Sequence, residues 1–264
     1  MAASAAAAVA LTGSIQTVVL RVAAESNAIA AVSPKTQMVT RPLNSNCSGG
    51  YVTFTFDDGP REHTERLLDT LDLLGIKAVF FWNGQNIGGR ERTVARAVAE
   101  GHIIGNHSWD HADLTTGKLP DGTTVSWTDE WVRGELERTN AALIAAGAPR
   151  PTLYRPPYGS TNRQVEEITR ELGLRLVSPW GNDTSDNIVD SRDSEGANTQ
   201  EIIDNTIRWM RNGSIITMHD GQGQGTLNSI HALQSIVDAM NQRGLCTTTE
   251  VREDATGHVL QMYG

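Results

Sequence analysis

Between positions 51 and 60 the chain sets polar against large apolar side chains, Tyr51-Val52-Thr53-Phe54-Thr55-Phe56, and then breaks into Asp57-Asp58-Gly59-Pro60. A β-branched and aromatic run of period two predicts a strand, and Asp-Gly-Pro predicts the turn that stops it. From there strand-like and helix-like stretches alternate. Leu67, Leu68, Leu71 and Leu74 recur at helical spacing over 64–74, with Gly75 as a stop. A strand over 77–82, a helix over 92–100 ended by Gly101, and a strand over 102–106 follow. A polar loop with Gly117, Pro120 and Gly122 leads to a helix that begins at 128–131 and carries Val132, Leu136, Thr139, Leu143 and Ala146 on one face. Further strands are expected at 153–155, 174–178, 214–218 and 246–251, and helices at 161–172, 199–211 and 227–242. The stretches 182–198 and 221–225 read as loops, the first because it is rich in Asp and Ser. Seven strands separated by helices imply a parallel α/β sheet, because parallel neighbours need helical crossovers. Periodicity alone leaves both a closed barrel and an open sheet admissible.

Composition changes the picture at the edges. A net charge of -9 and a pI near 5.2 disfavour nucleic acid or an anionic membrane as the main partner. Residues 1–46 differ from the rest: an apolar stretch over 2–11, continued by Val18-Val19-Leu20, is interrupted by Thr12, Gly13, Ser14, Gln16 and Arg21. That is too broken for a membrane span, and it is expected to be a signal-like segment followed by a disordered linker, with export as the consequence. A single domain over 47–264 remains. Two cysteines, Cys47 and Cys246, flank its strands without metal or redox spacing. If the sheet closes, its first and seventh strands are neighbours and both cysteines fall on one rim, which favours a disulfide over two buried free thiols in an exported protein.

Candidate chemistry gathers at the ends of the strands. Asp57-Asp58, His107-Ser108-Trp109-Asp110-His111, Arg155-Pro156-Pro157-Tyr158-Gly159, Asp183 with Asp186, and His219-Asp220 all fall at or just beyond C-terminal strand ends. A parallel barrel collects those ends on one face. His107 and His111 are four apart, so on one turn of helix both rings point the same way. With a carboxylate they make a divalent metal site that leaves positions open for water and substrate. A second acidic residue beside it suits a general base. His219 suits a general acid if Asp186 or Asp183 holds it protonated, and Arg155 is either a surface charge or the partner of Asp57. Each set alone has a bland reading as turn, surface or core polar residue; their convergence is the argument for an enzyme.

Thr55-Phe56-Asp57-Asp58-Gly59-Pro60, His107-Ser108-x-x-His111, Arg155-Pro156-Pro157-Tyr158-Gly159 and Ile215-Ile216-Thr217-Met218-His219-Asp220 together resemble, in order, the motifs of the polysaccharide deacetylases, carbohydrate esterase family four. The chain is most similar to secreted bacterial acetylxylan esterases and chitin deacetylases of that family. The resemblance implies a distorted (β/α)7 barrel and a single catalytic domain. It implies a divalent ion, zinc first with cobalt or nickel as alternatives, held by Asp58, His107 and His111. Asp57 is then the general base, Arg155 tunes it, the Tyr158 N–H helps bind the oxyanion, and His219 is the acid paired with Asp186. The implied partner is an acetylated polysaccharide or oligosaccharide, with the acetyl group on oxygen (xylan) or nitrogen (chitin, peptidoglycan), and the implied state is a secreted monomer. Two positions depart from the pattern. Asn187 stands where a tryptophan follows the second aspartate of the fourth motif, and Thr217 where the last strand carries leucine. Both changes make the wall around the acetyl methyl more polar. The rivals are a catalytically silent carbohydrate-binding relative and, on the His/His/carboxylate set alone, a non-haem iron oxygenase.

Overall fold

The structure, a computed structural model, describes residues 46–177, 187–221, 223–253 and 258–262. The first strand, β1 (Gly50–Asp57), sorts the molecule into two environments. Val52, Phe54 and Phe56 enter a large core shared with helices. Thr53, Thr55 and Asp57, one step out of phase, face the inner side of a curled sheet. The same division holds along β2 (Val79–Trp82), where Phe80 and Trp82 join the large core while Val79 and Phe81 join a smaller inner cluster. Both kinds of residue are fully buried on β2, so the strand reads as a continuous apolar run, as expected of a parallel sheet covered on both sides.

Five more strands complete the parallel sheet: β3 (Ile103–Asn106), β4 (Leu153–Tyr154), β5 (Arg175–Val177), β6 (Ile188–Asp190) and β7 (Ile215–His219). Their order in space is β6-β7-β1-β2-β3-β4-β5. β8 (Leu245–Thr247) pairs in parallel with the first residues of β1, and β9 (Val251–Glu253) pairs antiparallel with β10 (His258–Met262), which continues the sheet beyond β5. Among the described residues no pairing joins that edge to β6, so the sheet is a curled half-barrel rather than a closed one.

The helices are set by the expected signals. α1 (Thr64–Leu74) buries Leu67, Leu68, Leu71 and Leu74 and ends at Gly75, whose φ of 67° is the left-handed geometry of a C-terminal cap. α2 (Glu91–Ala99) follows β2. α3 (Asp129–Ala145) starts where the Thr128 hydroxyl accepts the Trp131 N–H, and α4 (Arg163–Glu171) where Asn162 accepts from Val165. α5 (Thr199–Trp209) carries a reciprocal capping box between Asn198 and Glu201. α6 (Gln224–Gln242) begins three residues earlier than the periodicity indicates. None of the described helices is long and apolar enough to cross a membrane.

Two expectations need correction. The seven parallel strands include β6, which lies inside the stretch read as a polar loop, whereas the strand expected over 246–251 is shorter and serves as the β8 flank. β6 is three residues long, and its Ile188 and Val189 are hidden among Asp and Asn neighbours. The expected link between Cys47 and Cys246 is present as a disulfide, with Cα atoms 5.3 Å apart. It arises without barrel closure, because β8 pairs with β1 and sets Tyr51 opposite Cys246. A link between residues 199 apart stabilises by about 4–5 kcal/mol in the chain-entropy model. The expected leader and linker, up to residue 45, lie outside the described residues.

Candidate active site

Asp58, His107 and His111 each offer one ligand atom, and these atoms lie within 4.8 Å of one another. The Nε2 atoms of His107 and His111 stand 3.4 and 3.2 Å from Asp58 Oδ1. His107 turns its other nitrogen, Nδ1, to the Arg155 carbonyl at 2.7 Å. A carbonyl only accepts, so Nδ1 carries the hydrogen and, in the neutral ring, Nε2 presents a lone pair to Asp58. Burial, reinforced by the ring of His107, pushes His111 down to about 4 against the pull of Asp58 and Asp57. Burial alone would raise Asp58, but the imidazoles around it, His107 first and then His219 and His111, hold its carboxyl well below the usual carboxylate range.

The two histidines meet Asp58 by a route other than the expected one. Residues 107–111 form no helix, because Ser108 and His111 have φ of 62° and 66°. The non-glycine residues with left-handed φ among those described are Asp58, Ser108, His111, Tyr158 and Arg192. All are in or beside this site, where such strain collects. A short turn after β2 holds both ligand loops. Asn86 donates to the Asp58 carbonyl at 2.8 Å, Asn83 donates to the His107 carbonyl at 2.6 Å, and the Gly84 N–H bonds the Ser108 carbonyl. Asp220 braces the other side: buried, it accepts from Thr64 and Trp82, and its N–H bonds the Asp57 carbonyl. Burial and the charges of Asp58 and Asp57 push Asp220 up to about 7 despite those hydrogen bonds. Its carboxyl leaves room only for glycine at position 59, where a Cβ would come within 2.2 Å.

Asp57 and Arg155 form a buried ion pair of 2.8 Å. The same guanidinium nitrogen reaches Thr55 Oγ1 at 2.7 Å, and the guanidinium lies over the Phe81 ring. Arg155 is therefore the partner of Asp57 and no surface charge. Its backbone and side chain together tie the carboxylate of β1 to the histidine loop after β3.

His219 ends β7 opposite Asp57 in register. The carboxylate on its Nδ1 is Asp193, at 2.7 Å, with the other Asp193 oxygen taking the His219 N–H at 2.8 Å and the Ser229 hydroxyl. Burial opposes a charge on His219, yet Asp193, helped by Asp58 and Asp57, raises it to about 10. Asp186, expected in this role, and Asp183 lie outside the described residues. Nδ1 bears one hydrogen, and Asp193 takes it, so the expected pairing is corrected to Asp193. A signal was available: between β5 and β7 the sequence carries Asp-x-x-Asp twice, at 183/186 and at 190/193, and the second copy leaves the strand beside β7.

The correction moves one departure. Asn187 leads into β6, with its carbonyl accepting the Ile215 N–H at 2.7 Å, and Ser194 follows the aspartate that holds His219. Ser194, Asp58, His111 and His219 line both of two cavities, one of about 460 Å3 and one of about 240 Å3. Asp57, His107, Tyr158 and Thr217 line the smaller. Tyr158, half exposed, sets its ring edge to face against His111 at 4.5 Å between centroids. The arrangement provides an anionic and two-imidazole ligand set, a buried carboxylate and a charged imidazole around one opening. That is the equipment for metal-assisted hydrolysis.

Residues 44–177 match the family model described as polysaccharide deacetylase. The chain is 38% identical over 203 residues to a bifunctional xylanase/xylan deacetylase of Cellvibrio japonicus, spanning 76% of this chain and 27% of that protein. It is 36% identical over 167 residues to chitin deacetylase 2 of Saccharomyces cerevisiae, across 63% of this chain and 49% of that protein. The matches thus span about a quarter to a half of those relatives. A family 4 carbohydrate esterase from Streptomyces lividans, solved in complex with acetate, superposes with a TM-score of 0.67 at 31% identity, over 81% of this chain and 98% of that one.

Proposed function

The chain belongs to the polysaccharide deacetylase family, and from that premise we propose that it is a metal-dependent hydrolase removing acetyl groups from a polysaccharide such as acetylxylan or chitin. The observation that carries this reading is the meeting, around one cavity, of the Asp58–His107–His111 set with the Asp57–Arg155 and His219–Asp193 pairs.

The residues fit a divalent cation. Asp58 Oδ1 is buried without a hydrogen-bond partner, and two imidazole nitrogens face it. Lone pairs converging on a buried anion are unfavourable unless a cation stands among them. Two nitrogens and one carboxylate oxygen suit zinc, with cobalt or nickel as substitutes. When bound, the ion supplies Lewis acidity that eases deprotonation of a water and attack at the acyl carbonyl.

The chain's own groups do the rest. Asp57, fixed by Arg155, accepts the water's proton. The Tyr158 N–H, on a backbone held at φ 56°, donates to the oxygen that gains charge at the acyl carbon. His219, charged because Asp193 holds Nδ1–H, gives the proton on Nε2 to the departing sugar nitrogen or oxygen. Acetate and the deacetylated sugar leave. We assign the catalytic unit to 47–264 and secretion to the protein, supported by the Cys47–Cys246 disulfide.

Asp57→Asn tests the assignment. Acetate release from both acetylxylan and chitooligosaccharides should fall by about 10²–10⁴-fold, with ion content retained. Undiminished release by a folded variant would remove Asp57 from the mechanism.

A further inference from the structure

The cavity of about 240 Å3 has a floor made by two neighbouring strands. On β7, Ile215, Thr217 and His219 share the inner face, and on β6, Ile188 and Asp190 do, with Asp190 in register against Thr217. Ile215 and Ile188 belong to the inner apolar cluster. The floor therefore turns from apolar to polar one step below His219. Thr217 is 4% exposed, it lines the cavity, and its Oγ1 has no hydrogen-bond partner. Such a hydroxyl is costly to leave unpaired, and a valine would fill the space without it. Thr55, its register neighbour on β1, shows the ordinary outcome: it donates to the Ile216 carbonyl and accepts from Arg155. Ser194, small and exposed at the edge, leaves this cavity open to the larger one.

We infer that this cavity is the acyl pocket and that it takes a hydroxyl-bearing acyl group, glycolyl in preference to acetyl, whose hydroxyl pairs with Thr217 Oγ1. The inference rests on the deacylation reading of the same site and names its substrate class. Acetyl would set a methyl against the unpaired hydroxyl. Glycolyl differs by one oxygen on that carbon, and a hydroxyl both donates and accepts, as Thr217 does. The Asp190 carboxylate adds an acceptor to the same floor. The reaction keeps its balance: water's oxygen bonds the acyl carbon, the bond to the sugar nitrogen or oxygen breaks, the leaving group takes a proton, and glycolate departs in place of acetate.

The test compares N-glycolyl with N-acetyl chitooligosaccharides of equal length on the zinc-supplied full chain, its Thr217→Val variant and its Thr217→Ser variant. The native protein should favour glycolyl in kcat/KM by about tenfold or more, because a site built to pair a hydroxyl discriminates against its absence. Thr217→Val should reverse that ratio, raising acetyl turnover while lowering glycolyl turnover, and Thr217→Ser should keep it. Binding of glycolate and acetate to the same proteins by calorimetry gives a second readout. The native-to-Val comparison cancels glycolate's own affinity for the ion, and glycolate should lose about tenfold relative to acetate. A native preference for acetyl, or equal ratios in the native and Val proteins, overturns the inference. If neither acyl group is released, the deacylation reading fails, and the binding comparison still decides whether Thr217 recognises the hydroxyl.

Discussion

His111 and His219 look into the same cavity and are driven to opposite protonation states. Burial disfavours charge in both. His111 faces Asp58 with Nε2, shares it with His107, and is pushed down to about 4. His219 shares its carboxylate with no second imidazole: Asp193 takes the Nδ1 hydrogen at 2.7 Å and overcomes burial to raise the ring to about 10. The proposed mechanism uses the first histidine, uncharged, as a ligand and the second, charged, as an acid with a proton to give. What separates them is which carboxylate each ring meets and whether it is shared. His102 supplies a reference outside the site. Burial, then Lys77 and Arg96, push it down to about 4, and it accepts the Ala78 N–H at 3.0 Å as an ordinary core histidine.

Breaking either side of the contrast should have the largest effect. His107→Ala should lose bound ion and acetate release together, by about 10³-fold or more in rate, whereas His219→Ala should lose about 10²–10⁴-fold in rate with ion content intact. Metal analysis beside the rate assay separates the two. Asp193→Asn comes next. Without its anion the His219 pKa should fall by several units, read by NMR of the ring, and the alkaline limb of the kcat profile should move toward neutrality. The sign follows from the role: the acid must carry its proton, so activity declines as pH rises through its pKa.

A smaller effect is on stability, in chelated protein. His219 has a folded pKa above its unfolded value, so its contribution is complete below about pH 6.5 and is lost as pH rises toward about 10. His111 and His102 have folded pKa values below the unfolded one, so each withdraws stability as pH falls from about 6.5 toward about 4. The full change is on the order of 3–5 kcal/mol per group, largest for His219. Denaturant unfolding across pH should show both flanks, and Asp193→Asn should flatten the alkaline one. Least of all, His102→Ala should lower the melting temperature by several degrees through lost packing while leaving acetate release per folded molecule unchanged.

Much of this was legible in the sequence. The alternation of Val52, Phe54 and Phe56 with Thr53, Thr55 and Asp57 places Asp57 on the inner face at a strand end, and the leucines of 64–74 place α1 behind it. Resemblance points to Asp58, His107 and His111, and the structure places one ligand-type atom of each within 4.8 Å of the others. Three things were hidden for physical reasons. β6 is too short for a period-two signal, so periodicity does not set the aspartate that leaves it apart from Asp186. The His107–His111 spacing suggests a helix, but left-handed backbone at Ser108 and His111 replaces one, and φ is not readable from side-chain type there. Asn83, Asn86 and Asp220 act through long-range hydrogen bonds to loops distant in sequence, which periodicity cannot register.

Acetate release from acetylxylan and from N-acetylated chitooligosaccharides, measured on protein stripped with chelator and then re-supplied with zinc or cobalt, tests the central claim most directly. The account requires release to vanish with the ion and return with it, and the ratio between substrates then assigns ester or amide as the preferred bond. Release that survives chelation, or a folded protein that frees no acetate with any ion, would contradict it.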